Sequence, residues 1–164
     1  NDIFNDSNFP DLNGDLLINC LESFKMPPGR GEILSLNKFK IIDDSYNANP
    51  ESVKAALDHL SGFQECRKFF VFGDMKELGA NEEILHKKVG QYAVGKTDIL
   101  LTVGKLAKNA QSNSNNFALS LHFNDNFSLL EKLNELLTDG DIVLIKGSRS
   151  MQLDQLINEL KNVK

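Results

Sequence analysis

The sequence predicts an α/β domain in which a mainly parallel sheet of about five or six strands carries helices on both faces. Three observations support this. Short apolar runs recur along the chain, each is followed by a segment of helical period, and the runs are rich in Ile, Val, Leu and Phe with little alternation. A strand with one wet face alternates apolar and polar residues, so runs that are apolar throughout read as parallel strands covered on both sides. Helices between them supply the cover, because each crossover lays its apolar stripe on the sheet.

Taken in order, residues 15–24 fit one helix with Leu16, Leu17, Cys20 and Leu21 on a single face. Pro27-Pro28-Gly29 then makes a stiff joint, since proline fixes its own φ and restricts the residue before it. The joint predicts a boundary, with residues 1–29 the tail of a preceding domain plus a hinge and residues 30–164 the domain proper. The chain starts at Asn1 rather than Met, and a fragment of a longer polypeptide is expected.

The first strand is read at Phe39 to Asp43. A helix follows from Asn49, which can cap it. Pro50 suits the first turn, Val53, Ala56, Leu57 and Leu60 share a face, and Gly62 ends it. Lys68 to Gly73 is the second strand, and residues 81–94 the second helix, with Leu85, Val89 and Tyr92 inward and Gly95 as its stop. Asp98 to Gly104 is the third strand, Lys105 to Ala110 a short helix and Gln111 to Asn116 a polar surface loop. Leu119 to Phe123 is the fourth strand, Phe127 to Leu137 a helix followed by Gly140, and Asp141 to Gly147 the fifth strand. The last helix is read from about Ser150, with Leu153, Leu156, Ile157 and Leu160 on one face.

Composition narrows the function. A 41% hydrophobic content is that of a globular protein and not a disordered one. A net charge of −5 with no basic stripe argues against nucleic acid as a partner. No run approaches the roughly 18 apolar residues that cross a bilayer, so no membrane association and a cytoplasmic site of action are expected. Cys20 and Cys66 suggest neither a disulfide framework nor a zinc site. Fifteen lysines against only Arg30, Arg67 and Arg149 suggest that arginine is kept where a planar fork of donors is hard to replace.

In parallel sheets ligands bind beyond the carboxyl ends of the strands. The loops to inspect are therefore Asp43 to Pro50, Gly73 to Gly79, Gly104-Lys105 and Lys146 to Ser150. The first is the most informative: two carboxylates, an aromatic ring and two amides lead into a capped helix, which brings ribose acceptors, a stacking surface and an anion-friendly helix start together.

Four separated blocks agree in order and spacing with one family. Gly29-Arg30-Gly31-Glu32, Asp43-Asp44-Ser45-Tyr46-Asn47-Ala48-Asn49-Pro50-Glu51-Ser52, Gly73-Asp74-Met75-Lys76-Glu77-Leu78-Gly79 with His86 after it, and Lys146-Gly147-Ser148-Arg149 resemble the carboxyl-terminal domain of the Mur ligase family. The likeness runs over about residues 14–164. It implies a three-layer Rossmann-like domain of an ATP-dependent amide-bond-forming ligase. The implied reaction adds D-alanyl-D-alanine to UDP-N-acetylmuramoyl-tripeptide in cytoplasmic peptidoglycan synthesis.

By this resemblance Arg30 reaches the ATP phosphates, a catalytic as well as a nucleotide-binding role, and Asp44 is the ribose-binding acid. Tyr46, Asn47 and Asn49 complete the nucleotide loop. Asp74, Glu77 and His86 face the incoming dipeptide, while Lys146, Ser148 and Arg149 bind its carboxylate. ATP is the implied cofactor, with Mg2+ held mainly outside this chain. The central and amino-terminal domains of the same polypeptide, and the two substrates, are the implied partners of a monomer. This chain is expected to carry no Gly-x-x-x-x-Gly-Lys-[Ser/Thr] phosphate loop, which belongs to the central domain, and the isolated chain is expected to be inactive. His59 and His122 are expected to be structural, and Glu82-x-x-x-His86 is too thin for a metal site.

Other readings stay open on the residues alone. One is a dinucleotide-binding oxidoreductase domain, which the first strand disfavours by lacking a Gly-x-Gly-x-x-Gly turn. Another is a non-catalytic nucleotide-binding or docking module. A third is the equivalent domain of a relative such as folylpolyglutamate synthetase.

Overall fold

The computed structural model describes residues 27–162, so the helix expected over residues 15–24 lies outside the described residues. Six strands form one sheet: β1 (Glu32–Ser35), β2 (Lys40–Asp44), β3 (Lys68–Gly73), β4 (Ile99–Val103), β5 (Leu119–Phe123) and β6 (Ile142–Lys146). Their order across the sheet is β1-β2-β6-β3-β4-β5. All neighbours are parallel except β1, which runs antiparallel to β2 with Ile33 opposite Ile42. The sequence reading missed β1 as a strand. Its side chains are mostly exposed, so it carries no core pattern and owes its form to backbone pairing at a sheet edge.

The parallel strands β2, β3, β4 and β6 are buried along most of their length, and this is why their sequences do not alternate. Side chains still point alternately to the two sides. Ile42, Phe70, Phe72, Leu100 and Leu144 pack under α1 (Pro50–Ser61) and α2 (Glu82–Ala93). Ile41, Phe69, Val71, Leu101, Val143 and Ile145 pack under α3 (Asn126–Leu136) and α4 (Leu153–Asn162). Phe69, Phe70 and Phe72 are wholly buried, each adding roughly 1.5–3 kcal/mol of hydrophobic stabilisation.

Local chemistry sets the helix ends. Asn49 caps α1, its side chain accepting from the Ser52 amide at 2.8 Å while the Ser52 hydroxyl accepts from the Asn49 amide at 3.1 Å. Asp125 caps α3 through the Ser128 amide at 2.8 Å. Two expectations are corrected. Residues expected to form a short helix and then a polar loop form one kinked 3-10 segment, Ala107–Asn116, because Ala107 and Ala110 are buried against α2. The last helix does not start at Ser150. A 3-10 turn at Arg149–Met151 comes first, Gln152 breaks it with a left-handed φ of +52°, and α4 begins at Leu153.

At the amino ends of the strands Arg67 grips Asp141 with two bonds, Nε to Oδ1 at 2.9 Å and Nη2 to Oδ2 at 2.7 Å, and so ties β3 to the start of β6. His122 lies with Nδ1 3.0 Å from the Thr102 hydroxyl, and His59 packs its ring 5.4 Å from that of Phe63. Among the described residues no helix is long and apolar enough to cross a membrane.

Candidate functional site

The carboxyl ends of β2, β3 and β6 are brought side by side by the strand order, and the loops that leave them build the site. Before β1, Gly29 and Gly31 take φ values of +75° and +80°, which only glycine adopts without strain. A side chain at Gly29 would meet the Tyr46 backbone at 3.1 Å. This tight passage is closed by two bonds, Gly31 N–H to the Asp43 carbonyl at 2.7 Å and Tyr46 N–H to the Gly29 carbonyl at 3.0 Å. As a result the Arg30 guanidinium lies over the Tyr46 ring, 4.3 Å from its centroid.

Strand alternation sends the two carboxylates at the end of β2 to opposite sides of the sheet. Asp43 is buried and accepts from the Ser45 hydroxyl at 2.6 Å and amide at 3.2 Å, which fixes the turn. Asp44 pairs in register with Lys146, whose ammonium donates to Asp44 Oδ2 at 2.6 Å and to the Asn47 carbonyl at 2.9 Å. Burial pushes the Asp44 carboxyl above its ordinary range while the Lys146 bond pulls it back. Burial likewise lowers Lys146, and Asp44 opposes that shift. Asn47 uses its side-chain oxygen on the Ala48 amide, and Asn49 uses its own on the helix cap.

Three clefts open around this loop, and Tyr46 borders all of them. The largest, about 800 Å³, lies on the Asp43 side and includes Arg30, Ser45, Arg149 and Asp154. A second, about 430 Å³, is lined by Asn47, Asn49, Lys76, Glu77, Ser148 and Arg149 among others. The third, about 200 Å³, holds Arg30, Asp44, Asn47, Asn49, Ser52 and Lys146. Arg30, Asp44, Tyr46, Asn47, Asn49, Glu77 and Arg149 therefore gather at one end of the molecule. Asp43, Lys76 and Asp154 border the same clefts; the first two stand inside the quoted blocks, whereas Asp154 lies outside them.

Other expected contacts are not open to a ligand. Asp74 is buried, its Oδ1 accepting from the Leu106 and Ala107 amides at 2.9 and 2.8 Å and its Oδ2 from Lys76 at 3.0 Å. His86 is wholly buried, with Nδ1 2.6 Å from the Glu82 carbonyl and Nε2 accepting from the Met75 amide at 2.8 Å. Burial lowers its pKa, so the neutral ring with its proton on Nδ1 satisfies both neighbours. The expectation that His86 meets a substrate is thus corrected: it pins the loop after β3.

Ser148 is also buried, its hydroxyl accepting from the Lys76 amide at 2.8 Å and its amide donating to the Asp74 carbonyl at 2.9 Å. Lys146 is turned to Asp44. Within the expected carboxylate-binding block only Arg149 is exposed, and it pairs with Asp154 at 2.9 Å. Glu77 is exposed and holds a left-handed φ of +62°, which costs a non-glycine residue about 1–2 kcal/mol.

The letters Gly90-Gln91-Tyr92-Ala93-Val94-Gly95-Lys96-Thr97 fit a phosphate-loop pattern, so the expectation that this chain carries none is wrong as spelling. The structure gives these residues another job. Gly90 lies in the last turns of α2, where a Cβ would sit 1.8 Å from the Ala110 carbonyl oxygen, and Gly95 makes the turn into β4 with φ +77°. Lys96 bonds Asp58 at 2.6 Å, and the Thr97 hydroxyl bonds the Lys68 carbonyl at 2.7 Å. A phosphate loop opens a helix and offers amides to the anion, whereas this segment closes one.

A family model described as "Mur ligase, glutamate ligase domain" matches residues 29–149. The chain is 35% identical over 149 residues to the UDP-N-acetylmuramoyl-tripeptide–D-alanyl-D-alanine ligase of Bacillus subtilis, covering 85% of this chain and 32% of that protein. Against the Rickettsia prowazekii protein of the same description the identity is 32% over 140 residues, covering 84% and 31%. The crystal structure of MurF ligase from Thermotoga maritima in complex with ADP is similar with a TM-score of 0.77 and 26% identity, over 88% of this chain and 33% of that one. The chain spans about a third of the length of the curated relatives it matches.

Proposed function

Because the chain belongs to the Mur ligase family as its glutamate ligase domain, we propose that it is the carboxyl-terminal domain of an ATP-dependent ligase adding D-alanyl-D-alanine to UDP-N-acetylmuramoyl-tripeptide. Residues 1–29 are then the end of a central domain and its hinge, and residues 30–164 one wall of the active site. The observation that carries the reading is the meeting of Arg30, Asp44 and Tyr46 at the strand ends, with one Asp44 oxygen free of any hydrogen bond from the described residues. A ring for stacking, an acceptor for a ribose hydroxyl and a fork of donors for phosphate suit one nucleotide.

The tripeptide carboxylate attacks the γ-phosphorus of ATP, ADP leaves, and an acyl phosphate forms. The free amine of D-alanyl-D-alanine then attacks the acyl carbon, phosphate departs and the amine loses a proton. In this scheme Arg30 stabilises negative charge spreading over the transferred phosphoryl group. Asp44 and Tyr46 orient the nucleoside, and Arg149 holds the dipeptide carboxylate from the second cleft. Glu77, on the rim of that cleft, is the carboxylate free to meet the dipeptide ammonium.

Mg2+ accompanies the ATP phosphates in this proposal. Among the described residues no three Asp, Glu, His or Cys side chains converge on a point, so its ligands are sought on the rest of the enzyme. The same reading makes the enzyme a cytoplasmic monomer with neither membrane nor nucleic acid as partner. The test is phosphate release by the full-length enzyme with ATP, UDP-N-acetylmuramoyl-tripeptide and D-alanyl-D-alanine. Release that ignores the dipeptide would sink the proposal.

A further inference from the structure

Lys146 is the most deeply buried charged side chain of the site, with 2% of it exposed, against 20% for its partner Asp44. A ligand entering the small cleft can touch the carboxylate but hardly the ammonium. Lysine is flexible and strongly hydrated, so holding it here requires specific acceptors. Among the described residues it has two, one at the end of β2 and one in the loop that follows, three residues apart: Asp44 Oδ2 at 2.6 Å and the Asn47 carbonyl at 2.9 Å. Lys146 itself closes β6, about a hundred residues away in sequence. One side chain thus ties the loop to the centre of the sheet. It occupies Oδ2 of Asp44 and leaves Oδ1 without a bond from the described residues.

We propose that Lys146 is a positioning residue for nucleotide binding: its buried ammonium fixes the Asp44 carboxylate and the Asn47 carbonyl, so that the free Asp44 oxygen is held ionised toward a ribose hydroxyl. The inference rests on the ligase reading above and replaces the expected contact of Lys146 with the dipeptide. The charged groups around Asp44 are Lys146, Asp43 and Arg30. Of these Lys146 is the one bonded to it, so removing it takes away the counter-charge that keeps a half-buried carboxyl ionised.

The test compares wild type and Lys146→Met in the full-length ligase. The expected result is a rise in KM for ATP of about tenfold or more, with a smaller change in kcat and in KM for D-alanyl-D-alanine. In the variant the rise of kcat/KM for ATP with pH should move to higher pH than in wild type, because Asp44 must now ionise without its partner. A brace with no part in nucleotide binding would not produce that profile. An unchanged KM for ATP, or a rise confined to the dipeptide, overturns the inference.

If the variant does not fold, the wild-type 164-residue chain decides by NMR. The Lys146 ammonium should be protected from exchange and its signal should shift when Asp44→Asn is introduced, whereas a freely exchanging, surface-like signal overturns the inference. Wild-type ligase with no dipeptide-dependent turnover would instead remove the function reading.

Discussion

The Arg30 guanidinium lies 4.3 Å from the centroid of the Tyr46 ring, and the two residues border both the largest cleft and the one that holds Asp44. The pair is clamped by the glycines on either side of Arg30, which let the chain pass close to the Tyr46 backbone. A planar cation on a ring leaves the edge of the guanidinium free to donate outward.

In the full-length ligase, Arg30→Ala should therefore lower kcat by an amount equivalent to about 2–4 kcal/mol of transition-state stabilisation. Arg30→Lys keeps charge but loses the flat fork, and should recover only part of it. Steady-state kinetics check this, and wild-type rates in the alanine variant would take Arg30 out of the site.

Arg149 is the exposed member of its block and reaches the second cleft. Arg149→Ala should raise KM for D-alanyl-D-alanine more than KM for ATP. Equal changes in the two constants would argue against a dipeptide role.

The Gly90 to Thr97 segment ends α2 and leads into the amino end of β4, at the opposite end of the strands from the site. Lys96→Ala should leave KM for ATP unchanged, because Lys96 serves Asp58. Gly90→Ala should destabilise the chain by about 1–3 kcal/mol or more, since the new methyl meets backbone and not a movable side chain. Kinetics and thermal melts separate the two effects, and a strong ATP defect in Lys96→Ala would contradict the assignment.

His86 should make stability pH-dependent. Burial lowers its folded pKa, so the unfolded chain binds the proton more readily. The contribution of the neutral ring is complete above the unfolded value near about 6.5. It declines as pH falls from there toward the folded value, by up to about 1.4 kcal/mol per pH unit. Chemical denaturation of wild type and His86→Gln across this range should show a shallower slope in the variant. Identical slopes would assign the effect to other groups.

Asp141 is buried and accepts from Arg67 and from the Thr138 amide and hydroxyl. Asp141→Ala leaves those donors without their acceptor and should cost about 1–3 kcal/mol. Arg67 is 46% exposed, so water softens its loss. A melting temperature within a degree of wild type would show that the brace is weak.

The layers, the five parallel strands, the cap at Asn49 and the loops to inspect were legible in the residue order, because burial on both faces and helical period are written locally. It could not determine β1, whose form comes from pairing with β2. Nor could local pattern separate the exposed Arg149 from the buried Ser148 and His86 in equally motif-like blocks. That Lys146 serves Asp44 and that Gly90 to Thr97 closes a helix emerges from the folded arrangement alone. Those roles depend on which neighbour lies across the sheet, and adjacency between residues a hundred positions apart is fixed by strand order and not by spelling.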